Sequence, residues 1–446
     1  MRMKTSLLFA LALAAIPAVA ADVEDLKLDY HGAGWLQIGR VEASYAPPNY
    51  NNAYKKNWLG NSGGLLTVHS AIDEEWDAAL GMGTILVHLA RGSRNISNKW
   101  YPFWVSWVDE ARVTHSGKLG SMDFKQTFGA FPVGYNGDIK NFGQYLLHGY
   151  VYPGAVATSF TGPLGVNQAI SGVDVSLKGE SFSNDFIVQL ETSDMPLYDV
   201  SIADVAAWRP IQGIEIGGGV NFYRALANDP DKTSPAKDCK NLGLNANHGQ
   251  PNVCGILDTN IVPKAGGGLD TLVDTLTGSL AGIKLMGRFR VDPKALFGME
   301  GGILGKNDLV LYSEFAVLGV KSYQQFYDDI TQRIPVMVGF NLPGFGFLDW
   351  SVEVEYYASK NSSDNLGAQS GSWVPAVDPD PKVDPKKDDL KWSVNASKVV
   401  FGNMVLLAQV ANDHLRLGGN HDEQSGIEAM RTPSDWYWTT KIAYFF

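Results

Sequence analysis

The sequence predicts an all-β chain, folded as one transmembrane antiparallel β-barrel of about sixteen strands with short periplasmic turns and long extracellular loops. Three observations carry this prediction. An export signal opens the chain, apolar and polar residues then alternate with a period of two, and the alternating segments are joined by short and long connections in turn.

The N-terminal segment 1–20 has the parts of a signal peptide. Arg2 and Lys4 precede an apolar run from Leu7 to Ile16, and small residues follow at 18–20. The run is shorter than the roughly 20 residues that span a bilayer. We therefore expect cleavage and one mature barrel domain over residues 21–446.

Composition limits the class of protein. Of the 446 residues, 45% are hydrophobic and 19% are charged, and no later apolar stretch is long enough for a spanning helix. The formal net charge of -11 argues against a nucleic-acid partner. Two classes remain, a secreted soluble β protein and a membrane barrel.

Alternation is clearest in "DWSVEVEYY", where Trp350, Val352 and Val354 oppose Ser351 and Glu353. Similar segments recur down the chain. The predicted strands lie near 33–46, 64–72, 76–90, 101–113, 121–131, 167–178, 184–193, 199–208, 212–225, 280–291, 308–322, 333–341, 347–359, 389–398, 403–416 and 434–446.

The connections between these strands favour the barrel. Short turns are expected near 72–75, 114–120, 179–184, 209–213, 342–346 and 398–403, with a longer one at 292–307. Long loops are expected near 47–63, 91–100, 132–165, 194–199, 226–279, 323–332, 360–388 and 417–433. Short turns at one end and long loops at the other are typical of outer-membrane barrels.

The chain ends "DWYWTTKIAYFF", with an aromatic last residue, Phe446, and hydrophobic residues two and four positions before it, Tyr444 and Ile442. Together with the signal peptide and the dyad strands, this ending resembles the Gram-negative outer-membrane porins, although the subgroup is not identified. The resemblance implies a location in the outer membrane and a final strand, with Ile442, Tyr444 and Phe446 as its signal, that is read by the barrel-assembly machinery. It also implies passive passage of small polar solutes or ions, and a homotrimer as one assembly.

General porins fold their third external loop into the lumen, often with a Pro-Glu-Phe-Gly-type motif. Here segment 132–165 is third in order and rich in aromatic residues, but it lacks that motif. The loop is expected either to fold into the lumen or to form a packed external lid.

Polar residues of opposite parity to the apolar face are expected to line the pore, because a charge on the lipid face costs roughly 2–4 kcal/mol. They are Asp123, Lys125, Asp174, Lys178, Glu191, Glu215, Lys284, Arg288, Arg290, Glu314, Asp349, Glu353, Glu355, Lys391 and Lys441. One hypothesis has the cations of 284–290 facing Glu353 and Glu355 across water, with a transverse field that orients solutes. The alternative is that these charges form ion pairs that brace the wall.

Other chemistry has little support in the sequence. Cys239 and Cys254 lie in one polar segment of the long loop 226–279, and in an exported chain they predict a local disulfide rather than a metal site. The acidic segment 374–390 lacks the calcium-binding loop pattern. No catalytic residue, cofactor or metal is expected, and the protein is not expected to be an enzyme.

Several tryptophans stand near predicted strand ends, at 58, 100, 104, 350, 392, 436 and 438. They favour interfacial girdles, and the alternative is a carbohydrate-stacking platform. Besides a porin, two functions stay open: a non-conducting surface, adhesion or scaffold barrel, and a secreted carbohydrate-binding β protein.

Overall fold

The computed structural model describes residues 27–44, 55–90, 100–147, 168–192, 197–228, 256–263, 269–275, 281–299, 303–320, 330–358, 389–415, 429–430 and 432–446. The predicted signal peptide 1–20, Cys239, Cys254 and the acidic segment 374–388 lie outside the described residues.

Period-two alternation becomes extended chain throughout, and the described residues form eighteen β-strands. They are β1 (Lys27–Ala43), β2 (Trp58–Ala71), β3 (Trp76–Ala90), β4 (Trp100–Leu119), β5 (Met122–Val133), β6 (Gln168–Lys178), β7 (Phe182–Leu190), β8 (Val200–Ile211), β9 (Ile214–Leu226), β10 (Ile256–Pro263), β11 (Leu269–Thr275), β12 (Gly282–Val291), β13 (Leu311–Val317), β14 (Val336–Leu342), β15 (Asp349–Tyr356), β16 (Leu390–Val400), β17 (Met404–Asn412) and β18 (Trp436–Phe445).

Sixteen of these strands close into one barrel, in which every strand pairs antiparallel with its neighbour in the chain and β1 pairs with β18. The predicted fold class is therefore confirmed. The remaining strands, β10 and β11, form a separate hairpin within the connection from β9 to β12, where only a loop was expected. Strands β1 and β2 also begin about six residues earlier than the alternation indicates.

The closing seam joins the last residue to the first strand. The backbone N–H of Phe446 donates to the carbonyl of Gly32 at 3.0 Å, and Gly32 donates back at 2.9 Å. A Cβ on Gly32 would lie 2.6 Å from the ring of Phe446 and 2.5 Å from a backbone oxygen of Leu65. Only glycine fits beneath this ring without a shift of its neighbours.

The two faces of a strand differ in burial, most clearly on β15. On β15, the side chains of Val354 and Tyr356 are exposed, whereas those of Glu353 and Glu355 are fully buried. The exposed apolar residues encircle the barrel, among them Leu36, Leu66, Met82, Trp104, Phe186, Trp208, Ile216, Phe289, Phe315, Val338, Leu406 and Ile442. These apolar faces do not pack on one another, as they would in a secreted soluble β protein. An apolar exterior on a closed barrel is how strands cross an outer membrane.

The outer face carries charge where β1 approaches its loop end. Arg40 lies 3.7 Å from Glu42, which also accepts a hydrogen bond from the indole N–H of Trp438 at 3.0 Å. The guanidinium of Arg40 stands 5.5 Å from the ring centre of Trp58. Tryptophan and paired charges are what a membrane interface accommodates.

Connection lengths alternate around the barrel. The expected long turn after β12 contains a four-residue helix, α1 (Pro293–Leu296), which Asp292 caps through the backbone N–H groups of Lys294 and Ala295. A 3₁₀ helix (Ile330–Arg333) precedes β14. Among the described residues, no helix is both long and apolar enough to cross a membrane.

Candidate channel constriction

Residues 134–147, hereafter the inner segment, follow β5 and begin the third long loop. Every residue from Asn141 to Leu147 is buried. The wall residues that bind them, Glu314 and Glu353, alternate with exposed Phe315 and Val354, so they point away from the apolar exterior. The inner segment therefore lies on the inner face of the wall. The rest of the loop, 148–167, lies outside the described residues.

One carboxylate holds three consecutive backbone groups of the inner segment. Glu353 accepts the N–H of Lys140 at 2.6 Å on one oxygen, and those of Asn141 and Phe142 at 2.8 and 3.0 Å on the other. The hydroxyl of Tyr312 donates to the same side chain at 2.7 Å. Four donors compensate the burial of this charge, and each charge-assisted bond contributes about 1.5–3 kcal/mol.

A second wall carboxylate, Glu314, binds the backbone of the next residues of the inner segment in the same way. Glu314 accepts the N–H groups of Gln144 and Tyr145 at 3.1 and 2.7 Å, and the hydroxyl of Tyr135 at 2.9 Å. Burial and the neighbouring Glu314 raise the pKa of Tyr135 well above its usual value, so its hydroxyl stays a donor. The chain turns here at Gly143 (φ +87°), where a Cβ would meet Ile139 at 2.4 Å.

Side chains add a third attachment. The hydroxyl of Tyr145 donates to Glu355 at 2.7 Å, and the other oxygen of Glu355 lies 2.7 Å from the His414 ring. Asn141 donates to Asp413 at 2.8 Å. Burial raises the pKa of Asp413. The inner segment is thus bonded to β13, to β15 and to the residues just after β17.

An apolar cluster supports the other side of the inner segment. Its members from the segment pack with wall residues of β5–β8 and of β12–β14. The cluster contains Ile139, Phe142, Tyr145, Leu146, Leu147, Phe131, Ile170, Ile187, Ala203, Val205, Met286, Tyr312, Ala316 and Met337. Leu146 also lies over Gly219, where a Cβ would come within 2.6 Å of its side chain.

A cavity of about 400 Å³ lies between the inner segment and strands β1 and β14–β18. Amides, hydroxyls and charges of both signs border it. They include Gln37, Asn136, Lys140, Asp308, Asn341, Asp349, Ser351, Asn395, Gln409, Thr439 and Lys441. Apolar side chains border the cavity as well, among them Ile139, Leu342, Leu407 and Phe445. The charged and amide groups of this mixed lining offer hydrogen-bond partners to water and small polar solutes.

The structure corrects the hypothesis of an open transverse field. Glu353 and Glu355 are fully buried by the inner segment, so they do not face the cations of β12 across water. Arg288 instead bonds Glu215 at 2.8 Å, and Arg290 bonds Asp138 of the inner segment at 2.6 Å.

Lys284 is also buried, with its ammonium 5.1 Å from the ring centre of Tyr223. The alternative, ion pairs that brace the wall, describes Arg288 and Arg290 better.

The other predicted lining residues fall into three groups by exposure. Asp123, Lys125, Lys178 and Asp349 are exposed, and Asp174 and Glu191 are half-buried. Lys391 and Lys441 are buried; the ammonium of Lys391 donates to the carbonyl of Met430, and Lys441 borders the cavity. Asp123 is paired with Lys118. For all of these predicted residues, a role in lining a pore stays a prediction.

Sequence reasoning noted the aromatic content of the third loop, but it assigned no partners to the residues that hold the inner segment. Tyr135, Asn141 and Asp413 lie outside strands, where no alternation assigns them to a face. Tyr312 does lie on a strand, and its parity with Glu314 could have placed it inside.

No protein-family model matches the chain, and no curated protein matches it. Among solved structures, the barrel is similar to bacterial porins. Salmonella typhi OmpF, solved in complex with daunomycin, shares 10% identity over 94% of this chain and 98% of its own, with a TM-score of 0.46.

Pseudomonas putida OprB shares 11% identity over 94% of each chain, with a TM-score of 0.47. A mutant of the Rh. blastica porin shares 9% over 94% of this chain and 100% of its own, with a TM-score of 0.40. At such low similarity, no function passes from these proteins to this chain.

Proposed function

We propose that this chain is an outer-membrane porin, a passive, water-filled channel for small polar solutes or ions. The observation that carries the proposal is the cavity of about 400 Å³ between the inner segment and the wall of a closed sixteen-stranded barrel, which charged, amide and hydroxyl side chains border together with apolar ones. A barrel of sixteen to eighteen strands leaves an aqueous passage, whereas one of eight is filled by its side chains.

The charges near this cavity predict weak selectivity. Lys140 and Lys441 oppose Asp308 and Asp349 around it, so neither sign dominates. The acids of the wall that would favour cations, Glu314, Glu353 and Glu355, are occupied by bonds to the inner segment. The formal net charge of -11 adds only a weak preference for cations at the mouths.

Conductance across a planar bilayer tests the proposal. The purified barrel should give discrete current steps at low voltage, and the same preparation after boiling should give none. Absence of steps from folded, heat-modifiable protein at any voltage would reject the channel.

A non-conducting surface barrel is the second candidate, and the apolar cluster behind the inner segment favours it, because that cluster fills lumen space. Swelling of liposomes in sugars of graded size separates the two. A channel admits small sugars and rejects larger ones, whereas a plugged barrel admits none.

The proposal extends to assembly. We infer insertion by the barrel-assembly machinery, which would read the exposed Ile442 and Tyr444 of β18 and the exposed Phe446 that follows it. Cross-linking in isolated membranes tests the homotrimer, and a band ladder that ends at the dimer would contradict it.

A further inference from the structure

Three potential metal ligands meet on the inner face of the wall formed by β1–β4. This part of the barrel is separate from β13 and β15, which carry Glu314 and Glu353. The three ligands are His31 of β1, His69 of β2 and Glu110 of β4, and one ligand atom from each lies within 4.8 Å of the others. The two imidazole rings stack with centres 4.7 Å apart. Nε2 of His69 stands 3.9 Å from Oε1 of Glu110.

Strand register and one missing side chain bring these residues together. His31 pairs with Thr67, Thr67 with Gly81 and Gly81 with Glu110, in one row across four strands. His69 follows two residues after Thr67, on the same face. At Gly81 a Cβ would lie 2.8 Å from the Thr67 hydroxyl and 3.1 Å from Glu110. Glycine thus opens the space through which Glu110 reaches over β3 toward His69.

A β-bulge in β4 turns the carboxylate inward. The register shifts between Gly81 and Met82, so Asp109 has no partner in the ladder and Glu110 falls opposite Gly81. The indole of Trp107 holds Asp109 at 3.2 Å. Bulges commonly re-aim a side chain beside a functional site.

The hydrogen bonds of the cluster leave a position between its ligand atoms. The guanidinium of Arg112 donates to Oε2 of Glu110 at 2.7 Å and to Asp77 at 2.9 Å. The bond to Oε2 orients the carboxylate of Glu110 so that its Oε1 faces His69. Nε2 of His69 is buried and makes no hydrogen bond within the described residues. A buried polar atom without a partner costs about 1–3 kcal/mol.

A purely structural histidine–glutamate pair would explain these side chains less well. At 3.9 Å, Nε2 and Oε1 are too far apart for a hydrogen bond. An ion between them would satisfy both atoms, and the Arg112–Glu110 bond is the kind of outer support that orients a ligand carboxylate.

We propose that the lumen wall binds a divalent transition-metal ion of the Zn²⁺ class through His31, His69 and Glu110. Imidazole and carboxylate are ligands that Zn²⁺ accepts, at about 2.0–2.2 Å, and three protein ligands leave a fourth position for water. His31 is exposed, so it turns onto the ion while His69 and Glu110 move little.

Zinc titration of the folded barrel tests the site. The untagged, detergent-solubilised full chain competes with a chromophoric chelator for Zn²⁺ alone, and one tight equivalent per chain is expected. His69→Ala, His31→Ala and Glu110→Gln should each weaken binding at least tenfold, because even the loss of an outer-shell partner costs 10–100-fold.

His115→Ala is the matched control. His115 lies beside Trp76, with ring centres 4.7 Å apart, and outside the cluster. This variant should bind Zn²⁺ as the unaltered chain does. Heat-modifiability on gels and far-ultraviolet circular dichroism establish that each variant is folded.

Equal affinity in His69→Ala and His115→Ala would overturn the proposal, as would binding no tighter than that of the boiled chain. The proposal does not depend on conduction. A barrel that conducts without binding Zn²⁺ rejects the metal site alone, and one that binds Zn²⁺ without conducting rejects only the channel.

Discussion

Glu353, in the middle of β15, accepts a hydrogen bond from the backbone N–H of Asn141 at 2.8 Å, and so ties the inner segment to a wall strand 212 residues further along the chain. The neighbouring N–H groups of Lys140 and Phe142 bind the same carboxylate. A wall acid, rather than the segment's own secondary structure, keeps this turn in place.

Glu353→Gln should loosen the inner segment. The amide offers one acceptor oxygen in place of two, so at least one of three backbone donors loses its partner. We expect hydrogen–deuterium exchange of the amides of 140–142 to quicken at least tenfold and the channel current to become noisier. Asp349→Asn, an exposed acid of the same strand, should leave that exchange unchanged. Unaltered exchange in Glu353→Gln would show that packing alone holds the segment.

Asp138 neutralises the half-buried cation Arg290 at 2.6 Å, between the inner segment and β12. Asp138→Asn would remove the carboxylate that pairs with Arg290, so that more of the positive charge of Arg290 would act on ions in the lumen. The reversal potential in a salt gradient should then shift toward anion preference, and high salt should reduce the shift. Glu74→Gln, in the exposed turn after β2, removes the same charge and should shift the reversal potential less than Asp138→Asn does. Equal shifts would place Asp138 outside the ion path.

The number of barrel strands, their order and the side to which residues such as Glu353 and Val354 point could be predicted. A closed barrel imposes one rule on every strand, namely that successive side chains point to opposite faces. Each wall residue faces lipid or lumen, so alternation as in Glu353 and Val354 reports the face directly. The alternation of connection lengths then gives the order. The hairpin β10–β11 lies in a loop, where this rule does not apply.

The contacts of the inward residues could not be predicted in the same way. Parity directs Glu353 inward, but whether it meets water or the inner segment depends on a loop that carries no periodicity. The cluster of His31, His69 and Glu110 was also missed, because its ligands lie far apart in sequence and meet only through register and a bulge. A metal site built this way leaves no spacing motif.

Asp308 stabilises the turns that follow β12 and β14. It accepts the N–H groups of Gly305 and Phe345 at 2.7 and 3.0 Å. Burial alone would raise the pKa of Asp308, but these donors, with Gly344 and Lys294, hold it below its usual value. A lowered pKa adds stability above the unfolded-state value of about 3.9, and that stability is lost as pH falls through the folded-state pKa.

Asp308→Asn should therefore lower the free energy of unfolding at pH 7 by about 1–3 kcal/mol, the cost of buried donors left poorly paired. The deficit should shrink as the pH falls below about 3.9, where the unfolded chain takes up the proton, toward the lowered pKa of the native carboxylate. Urea unfolding in lipid vesicles, followed by tryptophan fluorescence, measures both values. Glu180→Gln, in the exposed turn after β6, serves as the control. A deficit that is constant with pH would exclude the charge of Asp308 as its source.

Phe446 closes the barrel, since it exchanges two backbone hydrogen bonds with Gly32 and covers that residue with its ring. Deleting Phe446 removes both bonds and leaves Gly32 of β1 without its partner at the closing seam, whereas Ala33 still pairs with Phe445. We expect the amount of folded, heat-modifiable barrel in the outer-membrane fraction to fall several-fold. Phe446→Tyr keeps the backbone and the ring and should assemble normally. Gly32→Ala forces the ring outward and should fall between the two. Wild-type levels after the deletion would mean that neither the seam nor the terminal aromatic residue governs assembly.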